Sequence, residues 1–246
     1  MSNTTGFGVK QSTTTALLLL AVLGLSSEAR SQVGHPPESS PYTPLRATKV
    51  ISLGIGYLQG SSGRAAVGPT DGPLAVGRFN MRIGGPLELD GSLGIANLER
   101  NIIDPATAPT DSIVDVAKQT VTLLDAGIML LLTGQKTWHR TVPYVGASFG
   151  VAFGGRVPED TLSGFTFKTQ FQLAPVLGFR WYPSNRLMFR RESRDVVWRL
   201  SYPPSFFTSP EDDISAPPVL DPNIASDKEW THHPTFLFTI GYAIGL

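Results

Sequence analysis

The chain contains no cysteine, which excludes structural disulfides, thiolate metal sites, a cysteine nucleophile and lipid attachment through a cysteine. Charge is scarce as well: charged residues make up 16% of the chain, against about a quarter in an ordinary soluble domain. The 20 basic and 20 acidic residues balance. No net field attracts nucleic acid and no basic tract stands out, so nucleic acid is not expected as a partner. Long apolar runs are missing beyond the first thirty residues. The nearest candidate, Val121 to Leu132, is interrupted by Thr122 and Asp125, so a helical membrane protein is not expected either. Turn formers are plentiful instead, with 25 Gly and 20 Pro in 246 residues.

The first 31 residues read as an address. Residues 1–15 are polar with one positive charge, Lys10; Ala16 to Leu25 is an unbroken apolar run; Ser26, Ser27 and Ala29 follow. This is the order of a secretory signal peptide, with cleavage after Ala29 or, as preferred here, after Ser31. About ten apolar residues cover only half of the roughly 20 that a membrane-crossing helix needs. Residues 32–46 are rich in Pro and Ser and read as a flexible lead-in. The rest, 47–246, forms one domain.

That domain alternates with period two, the pattern of half-buried strands. Ile51, Leu53, Ile55 and Tyr57 share a face opposite Ser52, Gly54 and Gly56. Ala75, Phe79, Met81 and Ile83 oppose Arg78, Asn80 and Arg82. After the turn Gly84-Gly85-Pro86, Leu87, Leu89, Leu93 and Ile95 oppose Glu88, Asp90, Ser92 and Gly94. A fourth strand covers about 118–133, a fifth 142–154, a sixth 165–182, a seventh 187–202 and an eighth 235–246. In the sixth, odd positions from Phe165 and Phe167 to Trp181 are apolar, and even ones include Lys168, Gln170, Gln172 and Arg180.

In a soluble barrel the large apolar residues would turn inward. Eight Phe- and Leu-rich faces would overfill the interior of an eight-stranded barrel, which is just wide enough for side chains. The opposite faces carry Gly, Ser, Gln and few charges, too small for a solvent surface but suited to a crowded lumen. The inverted arrangement, apolar outside and polar inside with no free edge, is that of a barrel in lipid. Connections agree with it. From a periplasmic start, two long links (about 59–73 and 99–117), a moderate one (155–163) and a very long one (203–234) alternate with short ones (84–86, 134–141, 183–186), as in bacterial outer-membrane barrels. Aromatics gather near strand ends, with Trp138, Tyr144, Trp181 and Tyr182 on the inner side and Tyr57, Tyr202, Phe206, Phe207 and Trp230 on the outer, which suits two interfacial girdles.

The expected fold is therefore all-β: an antiparallel transmembrane β-barrel of about eight strands in an up-and-down meander. Over residues 47–246 the chain resembles the small outer-membrane β-barrel families, of which the OmpA-type eight-stranded barrel is the best known. The terminal strand FLFTIGYAIGL carries the resemblance, with Phe236, Phe238, Ile240, Tyr242, Ile244 and Leu246 on one face. It is similar to the C-terminal signal read by the barrel-assembly machinery, although that signal usually ends in an aromatic residue and this chain ends in Leu246. No peptidoglycan-binding domain is expected. The resemblance implies a cell outer membrane location, contact with outer-membrane lipids and lipopolysaccharide, and external loops that meet surface ligands, host or phage molecules.

The lumen face contains Arg78, Arg82, Lys168 and Arg180 beside Glu88, Asp90 and Asp125. Charges of both signs in a narrow barrel must pair, because a lone buried charge is costly, so a structural charge network is expected, with a narrow ion or small-solute channel as the alternative. Arg190, Glu192 and Arg194 join it if even positions of the seventh strand point inward; either register leaves charge on the lipid face unless a bulge intervenes. His232 and His233, placed just before the last strand near Asp212, Asp213, Asp227 and Glu229, nominally suit a metal or hydrolytic site, with Thr231, Thr235 or Ser209 as partner. Their spacing matches no recognised motif. Gly54-Ile-Gly56 and Gly60-Ser-Ser-Gly-Arg64 lack phosphate-loop spacing. The expectation is a monomeric, non-enzymatic barrel with a structural or surface-interaction role and no catalytic residue, metal or cofactor.

Overall fold

Strands that alternate in polarity leave one row of backbone groups unpaired at every sheet edge, and in a membrane each such group is costly. This chain removes the edges by closing its sheet. The computed structural model describes residues 40–107, 112–210 and 217–246. The expected signal peptide, the first part of the lead-in, and Asp212 and Asp213 lie outside the described residues. Residues 41–246 form one compact unit.

The strands are β1 (Tyr42–Pro44), β2 (Lys49–Leu58), β3 (Gly72–Gly84), β4 (Leu87–Ile103), β5 (Ile113–Leu131), β6 (Lys136–Trp138), β7 (Thr141–Gly154), β8 (Thr169–Trp181), β9 (Leu187–Ser201) and β10 (Lys228–Gly245). All pairings are antiparallel. The eight long strands run β2-β3-β4-β5-β7-β8-β9-β10, and β10 pairs with β2 to close the ring. The expected up-and-down barrel is what the chain forms. The two three-residue strands sit at the short-link end, where Tyr42–Pro44 of the lead-in pairs with Lys136–Trp138.

The side chains divide as the alternation requires. Leu53 and Ile55 are 71% and 70% exposed on the outer wall, as are Leu93, Phe149, Leu177 and Phe238, while Ser52, Asn80, Ser92, Ser148, Gln172 and Thr239 are buried inside. Small residues make room there. A Cβ on Gly178 would lie 2.5 Å from the Tyr144 hydroxyl, so only glycine leaves that phenol its place in the lumen.

Several boundaries differ from the sequence reading. β5 begins at Ile113 and β10 at Lys228, so two external links are shorter than expected. Pro234 is tolerated within β10 because it lies past Leu58, the last β2 residue paired with it, where its missing N–H costs no ladder bond; its carbonyl accepts from the Gln59 N–H at 2.8 Å. β8 starts at Thr169 rather than Phe165. Gly164 and Lys168 both adopt left-handed φ, +65° and +56°, and this breaks the period. Phe165 and Phe167 consequently turn inward, Phe167 packing edge-on against Trp198 at 5.2 Å, while Phe171 stays outside. The girdles are thinner than expected too. Trp138, Trp181, Tyr57 and Trp230 are exposed, whereas Tyr144, Tyr182, Tyr202 and Phe206 are buried in the interior.

Candidate functional site

The interior is organised in three tiers. At the short-link end, Leu45 of the lead-in and Ala47 just after it pack with Val50, Met129, Leu131, Val142, Tyr182 and Met188. The Arg82 guanidinium donates to the carbonyl of Leu45 at 2.9 Å and to that of Ala47. Arg82 thus fastens a strap of chain across this mouth, and it meets backbone carbonyls where the sequence suggested a carboxylate partner.

The middle tier holds four guanidinium groups, from Arg78, Arg180, Arg190 and Arg194, and four carboxylates, from Glu88, Asp90, Asp125 and Glu192. Arg78 grips Glu192 with two bonds of 3.0 and 2.7 Å and lies 3.6 Å from Asp90. Arg180 grips Glu88 in the same forked manner at 2.7 and 2.5 Å. Arg190 donates to Asp90 at 3.2 Å and to the Asn80 amide oxygen at 2.7 Å. Arg194 links Glu192 at 3.0 Å to Asp125 at 3.2 Å. The Tyr144 hydroxyl donates to Glu192 at 2.6 Å, and the Arg180 guanidinium lies 4.8 Å from its ring centroid. Two-pronged Arg–carboxylate pairs are the strongest of the ionic hydrogen bonds, and the tier is formally neutral, as a region removed from water must be.

Of the residues singled out from the sequence, the structure brings together Arg78, Glu88, Asp90, Asp125 and Arg180. Lys168 departs from the expectation: with its left-handed backbone it sits in the link before β8 with its side chain exposed. Arg190, Glu192 and Arg194 enter because β9 pairs with β10 without a register shift, even positions inward. Asn80 and Tyr144 were not anticipated as members. Alternation placed Asn80 on the inner face of its strand, whereas Tyr144 was expected in an interfacial girdle; neither reading could say that they would meet carboxylates from β4 and β9.

The outer tier is apolar. Leu58, Leu98, Leu123, Phe167, Trp198 and Leu200 line it, and Val67, Phe206 and Leu220 come down from the external links. The 3-10 turn Pro204–Phe207 buries Phe206. Above it, the Tyr202 hydroxyl donates to Glu229 at 2.6 Å, and the Arg64 backbone N–H donates to the same carboxylate oxygen at 2.9 Å. Burial, and then the Glu229 charge, push the Tyr202 pKa above the usual phenol range.

The two histidines do not form one site. Neighbouring strand positions face opposite sides, so His232 points out to Asp195 at 2.7 Å while His233 points in, bonded to Thr231 at 2.9 Å and lying on the Trp198 ring. Both belong to β10 rather than to the loop before it. Among the described residues no three metal-ligating side chains converge. His232 answers the Asp195 carboxylate on the outer wall, so His232→Ala should lower the unfolding free energy in lipid vesicles, measured by denaturant titration, but by less than the roughly 3–5 kcal/mol of breaking a fully buried pair.

A closed barrel whose outer wall is an apolar belt and whose buried charges are paired within is a transmembrane β-barrel of the outer-membrane type. The outward face of β10 contains Phe236, Phe238, Ile240, Tyr242 and Ile244, all exposed, and Leu246, which follows the strand, is exposed too. No family model and no curated protein matches the chain. Among solved structures it is similar to Neisserial surface protein A, at 12% identity over 80% of this chain and 97% of that one, with a TM-score of 0.49. The outer membrane protein OprG from Pseudomonas aeruginosa is similar at 12% identity over 81% and 97%, TM-score 0.47. Ail, the attachment invasion locus protein of Yersinia pestis, is similar at 12% identity over 80% and 98%, TM-score 0.39.

Proposed function

We propose that the protein is a monomeric, non-enzymatic barrel of the bacterial outer membrane, closed to solutes, that acts through its structure and its external loops. One observation carries this reading. The side chains of Arg78, Asp90, Arg190 and Glu192, drawn from β3, β4 and β9 across the lumen, have no surface that water can touch. A conducting pore needs a wetted path past such groups, and in the narrow bore of an eight-stranded barrel these guanidinium–carboxylate forks occupy the available width. The strap held by Arg82 and the apolar outer tier close the lumen on either side of them. Function is then left to the external surface and to the wall. The links 59–71, 155–168 and 202–227 supply a surface for extracellular ligands or lipopolysaccharide. The terminal strand supplies the face offered to the barrel-assembly machinery during insertion.

Conductance in planar bilayers tests this. The reconstituted protein is expected to be electrically silent at any applied voltage. Discrete, ion-selective steps that disappear in Asp90→Ala would replace this reading with that of a narrow channel.

A further inference from the structure

The belt has one flaw in its outer wall. On β9 the outward residues from Leu187 upward are Phe189, Arg191, Ser193 and Asp195, where the strands on either side present Leu177, Phe179 and Trp181, and Phe236, Phe238 and Ile240. Asp195 is answered by His232. The Arg191 side chain is exposed, and among the described residues it makes neither an ion pair nor a hydrogen bond. Its register puts it between Phe179 of β8 and Phe238 of β10. It stands four residues beyond Leu187, the first residue of β9 after the short turn 183–186. At about 3.3 Å per residue and a strand tilt of about 40°, that is roughly 10 Å above the short-link rim, inside the hydrocarbon region.

Arginine on the lipid face of a barrel costs about 2–4 kcal/mol near the bilayer midplane and less toward the interface. An anion within reach offsets that cost. The wall supplies none, so it must come from what covers the wall. The surroundings are shaped for a chain: a hollow of about 750 Å³ lies on the outer face, walled by Ile55, Leu177, Phe179, Phe236 and Phe238, with Arg191 and Ser193 as polar members. The small Ser193 side chain leaves the space. A second hollow of about 420 Å³, bounded by Trp181 and Phe189, continues from Arg191 toward the short-link rim. A guanidinium fork matches the oxygens of a phosphate, and the long side chain can extend toward the interface.

We propose that this groove binds one anionic phospholipid of the leaflet on the short-link side, its phosphate on Arg191 and an acyl chain in the hollow beside Ser193. A second copy of the chain fits less well. Two barrels inserted in the same direction meet about an axis along the membrane normal, which sets residues of equal depth against each other and brings Arg191 to Arg191. The assignment rests on the outer wall facing lipid.

The test uses the full chain refolded in maltoside micelles, titrated with phosphatidylglycerol or with diacylglycerol bearing the same acyl chains, and analysed by native mass spectrometry. Wild type should retain one phosphatidylglycerol and little diacylglycerol. Arg191→Gln should weaken phosphatidylglycerol retention by about ten-fold or more, a loss of about 1.4 kcal/mol. Ser193→Phe, which fills the hollow and leaves the cation in place, should weaken it as well and decides the matter if Arg191→Gln does not fold. Equal retention by wild type and the folded variants, equal retention of the two lipids, or an Arg191-dependent dimer would overturn the site. Wild-type protein that migrates alike before and after boiling would overturn the membrane barrel itself and the site with it.

Discussion

Replacing Glu192 with alanine is expected to lower the unfolding free energy of the barrel in lipid vesicles by about 3–5 kcal/mol, the cost of leaving buried charge uncompensated. Glu192 is the hub of the middle tier, accepting both prongs of Arg78, the Arg194 Nε and the Tyr144 hydroxyl. Without it, Arg78 keeps only Asp90 at 3.6 Å, and four guanidinium groups face three carboxylates in a space without water. Denaturant titration followed by tryptophan emission measures the effect. A charge-balanced change elsewhere in the tier should behave differently. Removing Glu88 alone strands Arg180, whereas the double change Glu88→Leu with Arg180→Met takes out both charges of a forked pair, and should cost less than Glu88→Ala. A Glu192→Ala loss below about 1 kcal/mol would mean that water reaches the tier and solvates its charges.

The second large effect is expected at Phe167. This side chain is 0% exposed, packs edge-on against Trp198, and occupies the space over Gly154, where a Cβ would collide with its ring. Phe167→Ala should cost about 3–5 kcal/mol, the range for emptying a buried phenyl site. Phe171, four residues on and also an odd-numbered aromatic, is 56% exposed on the lipid wall. Lipid tails fill the space that Phe171→Ala leaves, because they are as apolar as the side chain removed, so its cost should be much the smaller. Comparable losses at the two positions would contradict the change of face at Lys168.

These two cases mark where the sequence was informative. Strands whose large residues alternate without interruption, such as Ile51 to Tyr57 and Phe236 to Ile244, could be assigned a face directly, and Arg78, Glu88, Asp90 and Asp125 fell on the inner face for the same reason. Phe165 and Phe167 were misread because a lysine rarely adopts positive φ, so nothing in residue type announced the break at Lys168. The β9 register was undetermined because Arg190-Arg191-Glu192 puts charge on both faces; pairing with β10 settles it, and that is a long-range fact. Leu45 was hidden in a Pro-rich segment whose composition suggests a flexible lead-in, and Ala47 follows that segment directly. They are held by Arg82, 35 or more residues away. Tyr144 and Tyr182 were placed in a girdle because aromatics near strand ends commonly sit there, but their even positions turn them into the lumen.

The account rests on the direction in which the apolar faces point, and the absence of cysteine allows a clean measurement of it. Spin labels on Leu53→Cys, Leu177→Cys and Phe238→Cys, and separately on Ser148→Cys, report collision with dissolved oxygen, which concentrates in lipid, and with a polar nickel chelate, which stays in water. The first three labels should be open to oxygen and shielded from nickel in vesicles, with the label at Ser148 shielded from both. Labels at Leu53, Leu177 and Phe238 that met the nickel chelate freely would place those faces in water and contradict the membrane barrel.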